Sequence, residues 1–505
     1  MVSPSCGYKH AIFRLLKQCK TLKHLQSIHG QATIHGLTSS SAITNLLFTF
    51  TSLLPNPSLP PPSIHYALSL FHSIPSPSTF AFNLLLRSLT LLSSPLHSLL
   101  LFLRMRRLSI PPDSHTFPFA LTACARLAAL PLGRALHLQA LKFGFVTDVF
   151  VVNTLITMYS SSNSMPDARR LFDESPRPDV VTYNSMIHGY VKAGDKDGNL
   201  VLAQKLFDEM PVRDAVSWGA LLAGYSQSGR FSEALELFDR MKDSALGPDD
   251  VALVSALSCC ANLGALDRGE RIHEYIRRKR TKLSVYLATG LVDMYAKCGC
   301  ISIAREVFEE SPQRNLFTWN AIIAGLAMHG HGELSLEYFN RMVVSGVQPA
   351  DGVSFLGVLV GCSHAGMTST ARKLFGEMES VYGVRHELKH YGCMADLLGR
   401  ARLTKKAMEM IGEMGMEGDK YVWGGVLGGC RIHGDVEVGE MAARRLWELK
   451  PEDSGVYSAM ASMYANMRRW GDVAKMRALM SHENVTKNAA FSSIQVDDID
   501  KIPSY

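Results

Sequence analysis

Apolar residues recur at i, i+3, i+4 and i+7 through most of this chain, and the strips come in pairs. Two adjacent stretches show the unit: VVTYNSMIHGYVKAGDKDGNLVLAQKLFDEMPVRD from Val180 and AVSWGALLAGYSQSGRFSEALELFDRMKDSALGPD from Ala215. Each holds an apolar strip closed by Gly-Tyr, a polar turn, a second strip built on A-x-x-L-F, then a Pro and an acid. An Ala-x-x-x-Phe signature recurs at Ala67/Phe71, Ala168/Phe172, Ala203/Phe207, Ala234/Phe238, Ala304/Phe308 and Ala371/Phe375, with Ser335/Phe339 as a variant. From Phe172 onward its Phe residues step by 35, 31, 70, 31 and 36. A period in this range predicts stacked helical hairpins, each burying its apolar face against its neighbours. No period-2 strand pattern of any length is present. The predicted fold is all-α, a right-handed α-solenoid.

The spacing predicts tandem units at 79–113, 114–148, 149–179, 180–214, 215–249, 250–284, 285–315, 316–350, 351–387 and 388–419, with four residues, roughly Lys196 to Asn199, inserted in one turn. Residues 40–78 read as a short unit interrupted by the Pro-rich LLPNPSLPPPS, which cannot be helical. Two further helical pairs are expected at 420–453 and 454–487, then a tail at 488–505.

Composition changes this picture little. The net charge of +6 does not by itself announce a polyphosphate binder. Its distribution is uneven: Lys9, Arg14, Lys17, Lys20, Lys23, Arg87, Arg104, Arg106 and Arg107 precede the first acid, Asp113, leaving 43 basic against 46 acidic residues. The basic, amphipathic segment AIFRLLKQCKTLKHLQSIHG suits an organellar targeting segment, mitochondrial rather than plastid; the same residues (1–39) also tile as a degenerate first unit. None of the ten cysteines has C-x-x-C spacing, so no metal or cofactor site is expected. The longest apolar run, Ser88–Leu103, is too short to span a membrane and contains Pro95 and His97. His137 and His273 fall at equivalent places in two units, which indicates a packing role. Arg277, Arg278, Lys279, Arg280 and Lys282 read as a solvated helix end before a phosphate contact.

Ahead of the first strip stand Thr182-Tyr183-Asn184, Ser217-Trp218 and Thr318-Trp319-Asn320; a short unit carries Asp293-Met294-Tyr295-Ala296-Lys297-Cys298-Gly299 and a long one Cys260-Ala261-Asn262-Leu263-Gly264-Ala265-Leu266. With the 35/31 alternation these motifs resemble the plant pentatricopeptide repeat (PPR) proteins of the long/short (PLS) class, from about residue 5 onward. WGGVLGGCRIHGDVEVGE and SGVYSAMASMYANMRRWGDVAKMRALM resemble the extension motifs of the E subgroup, whereas NAAFSSIQV departs from that subgroup's usual ending. The family's C-terminal DYW deaminase domain is expected to be absent, and with it any enzyme. His331-Gly332-Glu333 matches half of a deaminase motif by letters alone.

The resemblance implies binding of single-stranded RNA, one base per repeat. The fifth and last residues of each unit would read the base: Asn83/Asp113, Asn153/Asp179, Asn184/Asp214, Gly219/Asp249, Thr289/Asn315 and Asn320/Ala350. By the family's rule Asn with Asp favours U and Thr with Asn favours A; Gly219 and Ala350 would discriminate poorly. A blander alternative makes the fifth-position Asn a helix N-cap. Apolar second residues Phe80, Phe150, Val181, Val216, Tyr286 and Phe317 would pack between bases. The implied role is specifying C-to-U editing sites in organellar RNA, with a deaminase-bearing PPR protein or editing-complex factors acting in trans. Rivals are a splicing, stability or translation factor, and a protein scaffold of tetratricopeptide type.

Overall fold

In a computed structural model of the chain, the described residues are 14–36, 38–54, 64–194, 198–279, 283–346 and 349–482. Residues 55–63 of the Pro-rich insertion, Lys196, Arg280, Lys282, the first thirteen residues and the tail at 488–505 lie outside them, while Leu53, the first residue of that insertion, closes the helix Ser40–Leu53. Every regular element among the described residues is helical. They group into two compact units, one ending at Ser255 and one beginning at Ala256.

In the first unit, helices follow one another as short hairpins: Thr79–Leu91 with Pro95–Arg107, Val149–Ser161 with Met165–Glu174, Val180–Ala193 with Asn199–Glu209, and Ala215–Gln227 with Phe231–Lys242. Asn199 opens its helix rather than lying in the turn, and its Nδ2 donates to the Gly194 carbonyl at 3.1 Å. Toward the N-terminus, Leu16, Leu25, Ile28 and Ala32 are buried in one core with Ile43, Leu46, Phe50, Phe71 and Phe82. The second unit repeats the plan in Val285–Lys297 with Ile301–Glu310, Leu316–Met328 with Gly332–Ser345, Gly352–His364 with Thr368–Ser380, Leu388–Arg400 with Thr404–Glu413, and Lys420–His433 with Val436–Leu449.

The repeated Ala and Phe explain the stacking. Ala168, Ala203, Ala304 and Ala371 are fully buried, so a second helix can approach its neighbours closely. At six joints the Phe of this signature, or of its Ser335 variant, meets an aromatic in the next first helix: Phe71 with Phe82, Phe172 with Tyr183, Phe207 with Trp218, Phe308 with Trp319, Phe339 with Phe355 and Phe375 with Tyr391. All six are edge-to-face, with centroids 4.7 to 5.2 Å apart. That geometry adds about 0.5–1.5 kcal/mol per pair beyond the burial of area. Arg213 and Arg314 close the same joints. Each donates from Nε to the carbonyl of the joint Phe (Phe207 at 2.9 Å, Phe308 at 2.8 Å), satisfying a helix C-terminus. The exposed ion pairs Asp208–Arg240 and Glu309–Arg341 link successive second helices and contribute little.

His137 and His273 have the packing role expected of them: each uses Nδ1 to reach a tyrosine hydroxyl of the following repeat, Tyr159 or Tyr295, at 2.9 Å. Burial holds both imidazoles below their ordinary pKa. The Phe308→Ala variant should lose about 3–5 kcal/mol of stability in denaturant titrations. Increased amide exchange should concentrate in Ile301–Glu310 and Leu316–Met328. A uniform loss of protection down to Lys420–His433 would contradict a nearest-neighbour joint.

Candidate nucleic-acid interface

The predicted reading residues come together in pairs, each at the joint between two repeats. The Asn83 Nδ2 donates to both carboxylate oxygens of Asp113 at 2.9 and 3.0 Å, and Asn184 to both oxygens of Asp214 at 3.1 and 3.3 Å. Asn153 reaches Asp179 Oδ1 at 3.3 Å. Thr289 and Asn315 meet through Thr318, whose hydroxyl is 2.7 Å from Thr289 Oγ1 and donates to Asn315 Oδ1 at 2.9 Å. Asp249 accepts from the Ala252 amide at 2.8 Å, and a Cβ built on Gly219 would meet nothing within 4 Å.

One expected partner is corrected. Ala350 is buried, and Asn320 Nδ2 instead donates to Asp351 Oδ1 at 3.1 Å. Asp351 caps the helix Gly352–His364 as Asp179 and Asp214 cap theirs, so this repeat runs to 351 and has a polar partner. The aromatic joint agrees, because Phe355 then occupies the fourth place in its repeat, as Tyr183, Trp218 and Trp319 do in theirs. A sequence signal existed: Asp351-x-x-Ser354 copies Asp179-x-x-Thr182 and Asp214-x-x-Ser217.

The N-cap alternative for the fifth-position Asn does not hold. Asn83, Asn153, Asn184 and Asn320 lie within their helices. Capping falls to the last residue of the preceding repeat, through boxes at Asp179, Asp214, Asn315 and Asp351. At the paired joints the third residue of the incoming repeat supplies a hydroxyl: Thr116, Thr182, Ser217, Thr318 or Ser354. Thr116 Oγ1 donates toward both Asn83 Oδ1 and Asp113 Oδ1 at 2.8 Å, and Ser354 Oγ toward Asn320 Oδ1 at 2.6 Å. An ionised carboxylate only accepts, so it takes the amide N–H, and at Asn83 and Asn320 the hydroxyl faces the amide oxygen; Thr182 and Ser217 turn theirs to Asp179 Oδ1 and the Asp214 carbonyl instead. At those two joints they set the amide's orientation from both sides.

Electrostatics follow from this network. Burial raises the Asp113 carboxyl pKa, but hydrogen bonds from Asn83, Thr116 and His115 outweigh it and hold the group below its ordinary value. Asp179, Asp214 and Asp351 balance the same way.

The six predicted packing residues are all exposed: Phe80, Phe150, Val181, Val216, Tyr286 and Phe317, with Phe150 at 73% and Phe317 at 69%. Each sits at the second helical position, in the first turn of a first helix. Val251, Val353 and Tyr421 hold the same place and were not singled out in the sequence. Of the basic cluster, Arg278 pairs with Glu274 at 2.9 Å and Lys279 lies over the Tyr275 ring. His331 and Glu333 flank the start of the helix Gly332–Ser345, and no group of three potential metal ligands occurs among the described residues.

Helical hairpins in series, with an amide–carboxylate pair at four of their joints, define a helical repeat protein. Models of the PPR repeat match residues 150–177, 287–316, 317–347, 353–381 and 389–419, and two further models, described as PPR repeat and PPR repeat family, match 176–211 and 213–262. An E motif model matches 433–495. The pentatricopeptide repeat-containing protein At5g61800 of Arabidopsis thaliana is 51% identical, over 97% of this chain and 99% of its own length. Two other Arabidopsis thaliana members, one named chloroplastic (At1g08070) and one mitochondrial (At2g22410), are 35% and 33% identical over 97% of this chain and 79% and 86% of their own. The maize PPR10 structure in complex with an 18-nt RNA element has a TM-score of 0.47 at 16% identity, covering 96% of this chain and 88% of that one. The chain belongs to the plant pentatricopeptide repeat proteins, with an E motif consistent with their PLS class.

The Thr116→Val variant should cost about 1–2 kcal/mol, because the buried hydroxyl's bonds to the Asp113 amide and to Asn83 Oδ1 are lost together. Thr116→Ser should restore most of it in thermal melts. The depressed carboxyl values stabilise the fold above their ordinary 3.8, and that contribution is lost as pH falls through the folded-state values. Asp214→Asn should therefore lower the melting temperature at pH 7 and reduce its drop between pH 5 and pH 3.

Proposed function

We propose that this protein binds single-stranded RNA sequence-specifically in a plant organelle, specifying sites of C-to-U editing at which a deaminase acts in trans. The observation that carries the reading is the recurrent Asn–Asp pair, at 83/113, 153/179, 184/214 and 320/351. Each pair offers a donor and an acceptor side by side, which suits the Watson–Crick edge of an unpaired base. Exposed apolar side chains at the second helical position add stacking that tolerates any base. A peptide-binding scaffold would have no use for an amide set against a carboxylate at four joints. The E motif at 433–495 supports editing over splicing or stabilisation. The chloroplastic and mitochondrial names of relatives support an organelle, and the basic N-terminal segment favours the mitochondrion.

If the repeat at 388–419 lies opposite the fourth nucleotide upstream of the edited C, as the family resemblance implies, the target carries A at −7 and U at −10, −11 and −13. The Asn320/Asp351 pair adds U at −6.

Two experiments test this reading. Organellar transcript sequencing of a loss-of-function plant should show editing abolished at one or a few sites with those upstream bases. Intact editing, with one transcript losing splicing or abundance, would replace the editing role by the other RNA role. In binding assays, Thr289→Asn combined with Asn315→Asp should move the preference at −7 from A to U by roughly tenfold, about the worth of one net hydrogen bond. An unchanged preference would remove these residues from the reading set.

A further inference from the structure

Three successive repeats of the second unit lose the reading amide together. Their fifth residues are Leu356, Gly392 and Gly424, counted from the corrected start at Gly352. Above them runs a cavity of about 490 Å³, walled by the first helices Gly352–His364, Leu388–Arg400 and Lys420–His433. This volume lies in the range of sites that enclose a small organic group. A Cβ on Gly424 would meet nothing within 4 Å, and one on Gly392 would come 3.3 Å from Tyr421 Cβ, so the missing side chains make the room. The floor is closed where the helices almost touch: a Cβ on Gly425 would lie 2.7 Å from the Asp396 backbone nitrogen.

The chemistry of the walls is one-sided. Asp396 is already engaged, accepting from Ser363 at 2.8 Å and from Arg400 at 2.9 Å, so it offers no free edge for reading a base. Tyr421 stands at the rim, 64% exposed, in the helical position that Phe80, Phe150 and Phe317 hold elsewhere. Lys420 Nζ lies 4.8 Å from its ring, and Lys389 also lines the opening, bonded to Glu387 at 3.0 Å. A flat apolar slot with an aromatic ring and two ammonium groups at its mouth complements a nucleotide: ring against ring, phosphate against lysine.

We infer that this groove seats nucleotides of the same RNA strand, 3′ of the read stretch, without reading their bases. The strand continues over Leu356, Gly392 and Gly424, stacks on Tyr421, and is held at its phosphates by Lys389 and Lys420. This inference rests on the RNA-binding reading above and extends contact with the strand into the first repeat of the extension.

The test uses the full chain and two synthetic single-stranded RNAs, one ending at −6 and one continuing through −3. The longer RNA should bind about tenfold more tightly, with the same gain whichever three bases are added. Tyr421→Ala should abolish the gain while leaving affinity for the shorter RNA unchanged, which also shows that the variant is folded. Lys389→Gln with Lys420→Gln should reduce the salt slope for the longer RNA alone by about 1–2. Equal affinity for the two RNAs, a gain that survives Tyr421→Ala, or a gain that depends on the added bases would each overturn the inference. An affinity for the shorter RNA that is no better than for unrelated sequence would overturn the underlying RNA reading as well.

Discussion

The whole molecule depends on the joint between one repeat and the next. A chain of hairpins has no central core, so each repeat is stable only to the extent that its neighbour covers it. Two devices make the joint here. The first is apolar, a Phe from the outgoing second helix set edge-on against the fourth residue of the incoming first helix, as in Phe207–Trp218 and Phe308–Trp319. The second is polar, an Asp or Asn that ends one repeat, caps the next helix and accepts from its third residue. The aromatic contact brings the helices together, and the cap fixes where the new helix starts.

The polar half of the joint is also the candidate recognition surface. A carboxylate that must cap a helix cannot move far, and its remaining capacity is spent on the Asn of the preceding first helix. The amide is therefore held by groups that the fold already requires. This is economical in a physical sense: the side chain that would meet a base is positioned by contacts between repeats, so little additional ordering is needed on binding. It also explains why the third-residue hydroxyls of Thr116, Thr318 and Ser354 are as much part of the site as the residues that face outward.

Much of this was legible in the sequence. The alternation of units, the Ala-x-x-x-Phe signature and the aromatic at the fourth position determine helical hairpins that stack, because a 3.6-residue period allows few other ways to bury those strips. The recurrence of Asn at the fifth position with an acid ending the same repeat marks the paired residues in the sequence alone. The exception is instructive. A length of 35 residues placed Ala350 at the end of its repeat, yet Asp351 takes the position. Counting failed where the cap decides, since a helix begins at the side chain that satisfies its free N–H groups.

The sequence by itself determined the kind of protein this is: a repeating helical array with periodic Asn and Asp residues and periodic apolar side chains beside them. Only the tertiary structure decided which residues pair, which way each amide faces, and that Leu356, Gly392 and Gly424 open one groove beneath Tyr421. The physical reason is the separation of partners. Periodicity is a local property, whereas Asn83 meets Asp113 across a whole repeat, and the groove needs three helices brought close by glycines at their crossings.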